Sequence, residues 1–160
     1  MTESALILAA VWKWFPPRRW AVCDGVSYGW GLLYEADAIA VSKAGRVHEL
    51  EAKSAKADLA RDHKKRKWLL PAQVDYFWYV VPTALTDPAV ALARPRGLGV
   101  ISVSAPGAND VIGNSVRLLL PKPLRSQNRV RDRSDRPRLW RLAAVRYWDE
   151  RIRKPKGETR

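Results

Sequence analysis

The chain has 160 residues, 47% of them hydrophobic, and 29 Lys plus Arg against 16 Asp plus Glu, a formal net charge of +13. That length suits one domain with its own core, and that hydrophobic content excludes wholesale disorder. The excess of positive charge points to a polyanionic partner, nucleic acid before membranes or acidic proteins.

Residues 3–15 are rich in Ala, Leu and Ile and read as a helix that Pro16-Pro17 ends. The start lacks a basic leading region, so it reads as a helix and not a signal peptide. No run reaches the roughly 18 apolar residues of a membrane span, so no membrane association and a cytoplasmic location are expected. Residues 18–33 hold aromatics and three glycines and form a strand or an irregular approach to one. Cys23 is the single cysteine. It excludes an intramolecular disulfide and a four-thiolate zinc site, and reads as a small buried hydrophobe. Residues 34–42 and 46–53 alternate like strands. Residues 55–68 contain no β-branched residue and read as a helix with Ser54 as its N-cap. The apolar run 74–81, followed by Pro82, reads as a buried central strand. Residues 97–104 and 115–121 are further strands, joined through turn signals at Pro106-Gly107 and Asn109-Asp110. From Lys122 onward 14 Lys plus Arg face 5 Asp plus Glu. There, residues 124–136 read as an exposed basic loop, and residues 137–152 as a helix with Leu139, Leu142, Ala143 and Tyr147 on its core face. The whole is a mixed α/β domain, a central mixed β-sheet flanked by helices. It covers residues 1–153, with a basic region at 122–153 and a frayed tail at 154–160.

The charged residues of 34–54 are out of place in strands, which disfavour Asp, Glu and Lys. Gly45 closes a Lys43-Ala44-Gly45 turn of the kind that ends in a left-handed residue. Such a loop pairs Ser42 with Arg46, so Asp37 lies opposite Glu51, Glu49 opposite Ile39 and Glu35 opposite Lys53. Ala36, Ala38 and Ala40 then share the other face with His48, Leu50 and Ala52. Two adjacent carboxylates repel, and a divalent cation relieves that repulsion. Oxygen ligands suit Mg²⁺ or Mn²⁺, which activate water and neutralise phosphoryl charge. Lys53 is placed to position the attacking water or stabilise the pentavalent phosphate. With the basic surface, these residues describe phosphodiester hydrolysis. A solvated cross-strand pair near a sheet edge, with Glu35 and Lys53 as a salt bridge, is the competing reading.

The stretch Ala36–Lys65 resembles the core of PD-(D/E)XK nucleases, in which an Asp ends one strand and Glu-x-Lys lies on the next. The likeness is to the small phage-borne and DNA-repair-associated, MmcB-like branch. Its ordered pieces here are Asp37, Glu49, Glu51, Lys53, Asp58, Asp62, Lys64, the aromatic strand ending in Pro82 and the Gly97-Leu98 strand, over about residues 25–105. Ala52 and Ala55 depart from the residues usual in relatives without removing a ligand. The resemblance implies a restriction-endonuclease-like core and a Mg²⁺- or Mn²⁺-dependent deoxyribonuclease, an endonuclease by expectation. In that reading Asp37 and Glu51, with the Ala52 carbonyl, hold the metal and Lys53 assists the water. The superfamily includes inactive members, so a catalytically inactive nucleic-acid-binding protein is the alternative. A phage accessory protein that binds a host protein is a third reading.

A further acid on the first helix is usual in the superfamily. Glu3 is the candidate, with Glu35 and Glu49 competing. Lys56, Lys64, Lys65, Arg66 and Lys67 form a basic stretch suited to the DNA backbone, or a solvated helix face. Asp58 and Asp62, four apart, share a helix face and could orient Lys53. Gln73 opens the following strand, as a glutamine does in some relatives. Arg129 and Arg131, in the arginine-rich segment, are the remote DNA-binding candidates. His48 and His63 pair with no Asp or Ser at a catalytic spacing. The tryptophans divide between core positions and stacking on unpaired bases. A homodimer is the expectation for cutting both strands.

Overall fold

The computed structural model describes residues 1–26, 35–62, 74–107 and 112–123 in full and the backbone of residues 63–65. The chain opens with α1 (Glu3–Trp14), whose start is fixed by Thr2, its Oγ1 accepting from the Ala5 N–H at 3.3 Å. Glu3 in the first turn and Lys13 in the last both suit the helix dipole. Strands β1 (Trp20–Val26), β2 (Ala36–Ser42) and β3 (Val47–Ala52) follow, then α2 (Lys56–Lys65), β4 (Tyr76–Pro82), α3 (Thr86–Ala93), β5 (Gly99–Val103) and β6 (Ser115–Leu119). Short 3-10 turns flank α3 at Thr83–Leu85 and Arg94–Arg96.

The six strands form one sheet in chain order. β3, β4 and β5 run parallel, joined through α2 and α3, and the remaining neighbours pair antiparallel. The expected mixed α/β sheet flanked by helices is therefore what forms, with β3 and β4 at its centre. Leu6, Ile7, Ala9 and Ala10 of α1 bury one face of the sheet, against Ala38, Ala40, Leu50, Ala52, Trp78 and Val80. The alanines of β2 and β3 let α1 approach the backbone closely. On the other face Leu59 of α2 and Ala89 and Ala93 of α3 cover Phe77, Tyr79, Val81 and Val100.

One expectation changes, and one element is new. α3 falls in residues the sequence left unassigned, because eight residues are too few to display a helical period. The first helical hydrogen bond of α2 runs from the Leu59 N–H to the Ala55 carbonyl at 3.1 Å, which makes Ala55, not Ser54, the capping position. Within 18–33 a strand forms as expected, β1 at Trp20–Val26, and residues 27–34 lie outside the described residues. The expected helix 137–152 and the basic loop before it lie outside them too. Among the described residues no helix is long and apolar enough to cross a membrane. Cys23 is buried, as expected.

Trp78 is the hub of the α1 face. It is 2% exposed, and its Nε1–H donates to His48 Nδ1 at 3.0 Å. Its register partner on β5 is Gly99. A Cβ at Gly99 would overlap the indole ring, so the missing side chain makes room for the tryptophan. Gly99→Ala should therefore cost about 1–3 kcal/mol as an overpacked core. Urea unfolding with an unchanged m-value and a lowered midpoint is the expected readout.

Candidate active site

The site begins with the hairpin. Gly45 has φ of 72°, in the left-handed region. Its N–H donates to the Ser42 carbonyl at 2.8 Å, and the Ser42 N–H donates to the Arg46 carbonyl at 2.9 Å. The register that follows is the expected one, with Ala40 opposite His48, Ile39 opposite Glu49 and Ala38 opposite Leu50. There β2 and β3 part. Continued, the ladder would join Ala36 to Ala52, but the Ala52 N–H instead donates to Asp37 Oδ2 at 2.8 Å. β2 stays paired with β1 as far as Ala36. The strands thus open into a notch with Asp37 on one lip and Glu51-Ala52-Lys53 on the other. The strand pair Asp37–Glu51 expected from the turn is replaced by this side-chain bridge.

Lys53 extends β3 through its N–H, which donates to the Val80 carbonyl at 3.0 Å. Its Nζ donates to Glu51 Oε1 at 2.6 Å and lies 3.9 Å from Asp62 Oδ1. The Lys53 side chain is only 12% exposed and its two partners are 3% and 2% exposed, so this is a sheltered ionic group and not a surface pair. Asp62 Oδ2 in turn accepts from the Tyr79 hydroxyl at 3.0 Å. A chain of contacts therefore runs from β4 through α2 to Lys53. Tyr79 lies beside Glu51 because β3 and β4 pair in parallel in that register.

The electrostatics follow from this enclosure. Burial, and then the negative charge of Glu51, push the Asp37 carboxyl above its ordinary value of 3.8, against the opposing pull of the Ala52 N–H and Lys53. Glu3 adds to the rise. Burial alone would lower Lys53, but the charge and hydrogen bond of Glu51, with Asp62 and Asp37, outweigh it and raise the ammonium above its ordinary value. Lys53 is consequently a fixed cation at neutral pH and a hydrogen-bond donor, not a base. Burial, the Asp62 charge and its hydrogen bond raise the Tyr79 hydroxyl, which keeps its proton.

The other candidates divide. Glu3 comes to the Asp37 cleft from the first turn of α1, together with Asp24 of β1, which the sequence did not single out. Glu35 is exposed just before β2, and Lys53 makes ion pairs with Glu51 and Asp62. Glu49 is fully buried between Ile39 and Phe77, away from the notch. Asp58 and Asp62 separate: Asp62 is buried beside Lys53, whereas Asp58 pairs outward with Arg61. Lys56 is exposed at the start of α2. The side chains of Lys64 and Lys65, and Arg66, Lys67, Gln73, Arg129 and Arg131, lie outside the described residues. His48 stacks on Tyr76 with ring centroids 4.5 Å apart. Burial lowers it to about 4, which keeps it neutral and structural.

Among the described residues no three His, Cys, Asp or Glu side chains form a group that could hold a metal ion. The set present is two carboxylates, Asp37 and Glu51, with the Ala52 backbone between them. That set fits a hard divalent cation that keeps several of its waters. Burial first, and then the charge of Glu51, disfavour the ionised Asp37, and such a cation would offset both.

No protein-family model matches the chain, and no curated protein matches it. A protein of unknown function from Silicibacter pomeroyi has a similar structure, with a TM-score of 0.65 at 14% identity over 99% of this chain and 96% of its own. That likeness concerns the fold alone.

Proposed function

We propose that the chain is a metal-dependent deoxyribonuclease with a restriction-endonuclease-like core that hydrolyses phosphodiester bonds in DNA. The observation that carries this reading is the parting of β2 and β3, which sets Asp37 against Glu51 and a sheltered, protonated Lys53 at an open strand end. Asp37 and Glu51, with the Ala52 carbonyl, would hold Mg²⁺ or Mn²⁺. When bound, the ion would supply Lewis acidity and neutralise phosphoryl charge. Lys53 donates to the phosphate oxygens on which charge develops, or to the attacking water, and its fixed charge makes that stabilisation preorganised. Asp62, itself held by Tyr79, keeps the ammonium in place. Lys56 at the start of α2 offers a backbone-phosphate contact, and the net charge of +13 draws the polyanion in. The same reading places the protein with DNA in the cytoplasm, and a homodimer is the arrangement for cutting both strands.

The test is incubation with supercoiled and linear DNA, with and without Mg²⁺ or Mn²⁺. Cleavage of the supercoiled form identifies an endonuclease. Metal-independent, salt-sensitive binding without cleavage would instead support a catalytically inactive nuclease-fold binding protein.

The raised Asp37 carboxyl gives an independent expectation. A carboxyl raised on folding contributes stability that is complete below its ordinary value of 3.8 and lost as pH rises through its raised value. At neutral pH the ionised Asp37 is therefore a cost to the metal-free fold. Asp37→Asn removes that cost and can keep the bond from the Ala52 N–H. Its metal-free melting temperature should lie above the parent's at pH 7, with the difference shrinking as the pH falls, and its stabilisation by Mn²⁺ should be lost. A lower metal-free melting temperature for Asp37→Asn would contradict the cost assigned to a buried, crowded Asp37 carboxylate.

A further inference from the structure

A cleft of about 740 Å³ lies between α1 and the β1–β2 edge and ends at Asp37. Its two ends differ in character. Glu3 and Asp24 stand with Asp37 at one end, while Ile7, Leu8, Val11 and Val22 form an apolar wall. Pro17 closes the far end, and Arg18 and Arg19 follow it, both exposed. Trp12 is 69% exposed, and it lies one turn beyond Leu8, itself 53% exposed, on the same face of α1. It stands about 13 Å along the helix from Glu3.

We propose that this cleft, with the exposed surface beyond its lining at the Pro17 end, takes an unpaired DNA strand, a base stacked on Trp12 and phosphates on Arg18 and Arg19 outside the cleft, and the strand led along the apolar wall to Asp37. The proposal rests on the nuclease reading for what happens at Asp37, but the binding does not. The volume falls within the roughly 300–1,000 Å³ of small-ligand clefts, the scale of a nucleotide and not of a duplex's width. The flat, exposed indole and the apolar wall match a base and its sugar, and every base offers a π-face whatever the sequence. The arginines match the backbone, and the acidic end suits a phosphate only where a cation accompanies it.

The experiment is fluorescence anisotropy in Ca²⁺, which supplies a cation to the acidic end, with labelled short oligothymidylate, a blunt duplex of equal length and a duplex carrying a single-stranded overhang. Wild type should bind the oligothymidylate and the overhang more tightly than the blunt duplex. Trp12→Ala should weaken binding of the first two by about tenfold or more and leave the blunt duplex within about twofold, while Trp12→Phe retains most of the affinity. Trp12 is exposed, so these variants fold. Unchanged oligothymidylate affinity in Trp12→Ala, or an equal loss on the blunt duplex, overturns the proposal. If wild type and Trp12→Ala both still cleave plasmid with metal in either of those cases, the nuclease reading survives alone. Trp12-dependent strand binding in a protein that cuts nothing would keep the cleft and overturn the nuclease.

Discussion

Lys53→Ala should slow metal-dependent DNA cleavage by about 10²–10³-fold, the loss that follows removal of one preorganised donor from a site of developing charge. Lys53 has no free motion to replace: its Nζ is fixed by Glu51 at 2.6 Å, with Asp62 at 3.9 Å. Its loss also leaves two buried carboxylates without their cation, and breaking a sheltered ion pair in this way costs about 3–5 kcal/mol. A drop in activity could then reflect unfolding. Asp37→Asn separates the two, because it removes a destabilising charge from the metal-free fold. One variant loses both stability and cleavage, and the other gains stability and still loses cleavage by a comparable factor. Lys53→Arg keeps the charge but replaces a compact ammonium with a planar fork, so it should hold the fold and recover only part of the rate. Initial rates on supercoiled plasmid, beside thermal melts of the same preparations, give both quantities.

The second large effect is on stability. Trp78→Ala should destabilise the chain by about 3–5 kcal/mol, a large part of the roughly 5–15 kcal/mol that holds a domain together. Trp78 lies on a central strand at 2% exposure, within the cluster that α1 covers, with Phe15 edge-on at 6.0 Å between centroids. Its ring fills the space that Gly99 leaves open. Trp78→Phe keeps much of that volume but removes the Nε1–H that satisfies His48, so it should cost less than alanine. Chemical denaturation of both variants checks the order. Equal losses would mean that the His48 hydrogen bond, not the packed ring, carries the effect.

What the sequence revealed was local. Asp37, Glu51 and Lys53 came together because Gly45 fixes the turn, and a turn of that kind fixes the hairpin register around it. Alternation along β2 and β3 then separated the alanine face, which α1 covers, from the acidic one. The partners of Lys53 were harder to see. Tyr79 lies beside Glu51 only through the parallel β3–β4 register, which depends on how α2 crosses the sheet. The spacing of Asp62 from Asp58 marks it as an orienting candidate in the sequence. Its separation from Asp58 follows from which side of α2 meets the sheet, and no turn signal encodes that. Glu49 shares its strand and its period with Glu51, yet it is buried where the strands remain paired, and only the splay after Leu50 distinguishes them. Asp24 required the pairing of β1 with β2. The splay itself is a departure from ladder continuation, so a reading built on regular pairing placed Asp37 directly opposite Glu51 and missed its bridge to the Ala52 N–H.

The most direct test of the proposed site compares the parent and Asp37→Asn on supercoiled plasmid in Mg²⁺ and in EDTA. The parent should nick or linearise the plasmid in Mg²⁺ and leave it intact in EDTA, and Asp37→Asn, though folded, should be at least about 10²-fold slower. A parent that leaves the plasmid intact in both Mg²⁺ and Mn²⁺, or an Asp37→Asn protein that cuts at the parent's rate, would contradict the assignment of the notch between β2 and β3 as a nuclease site.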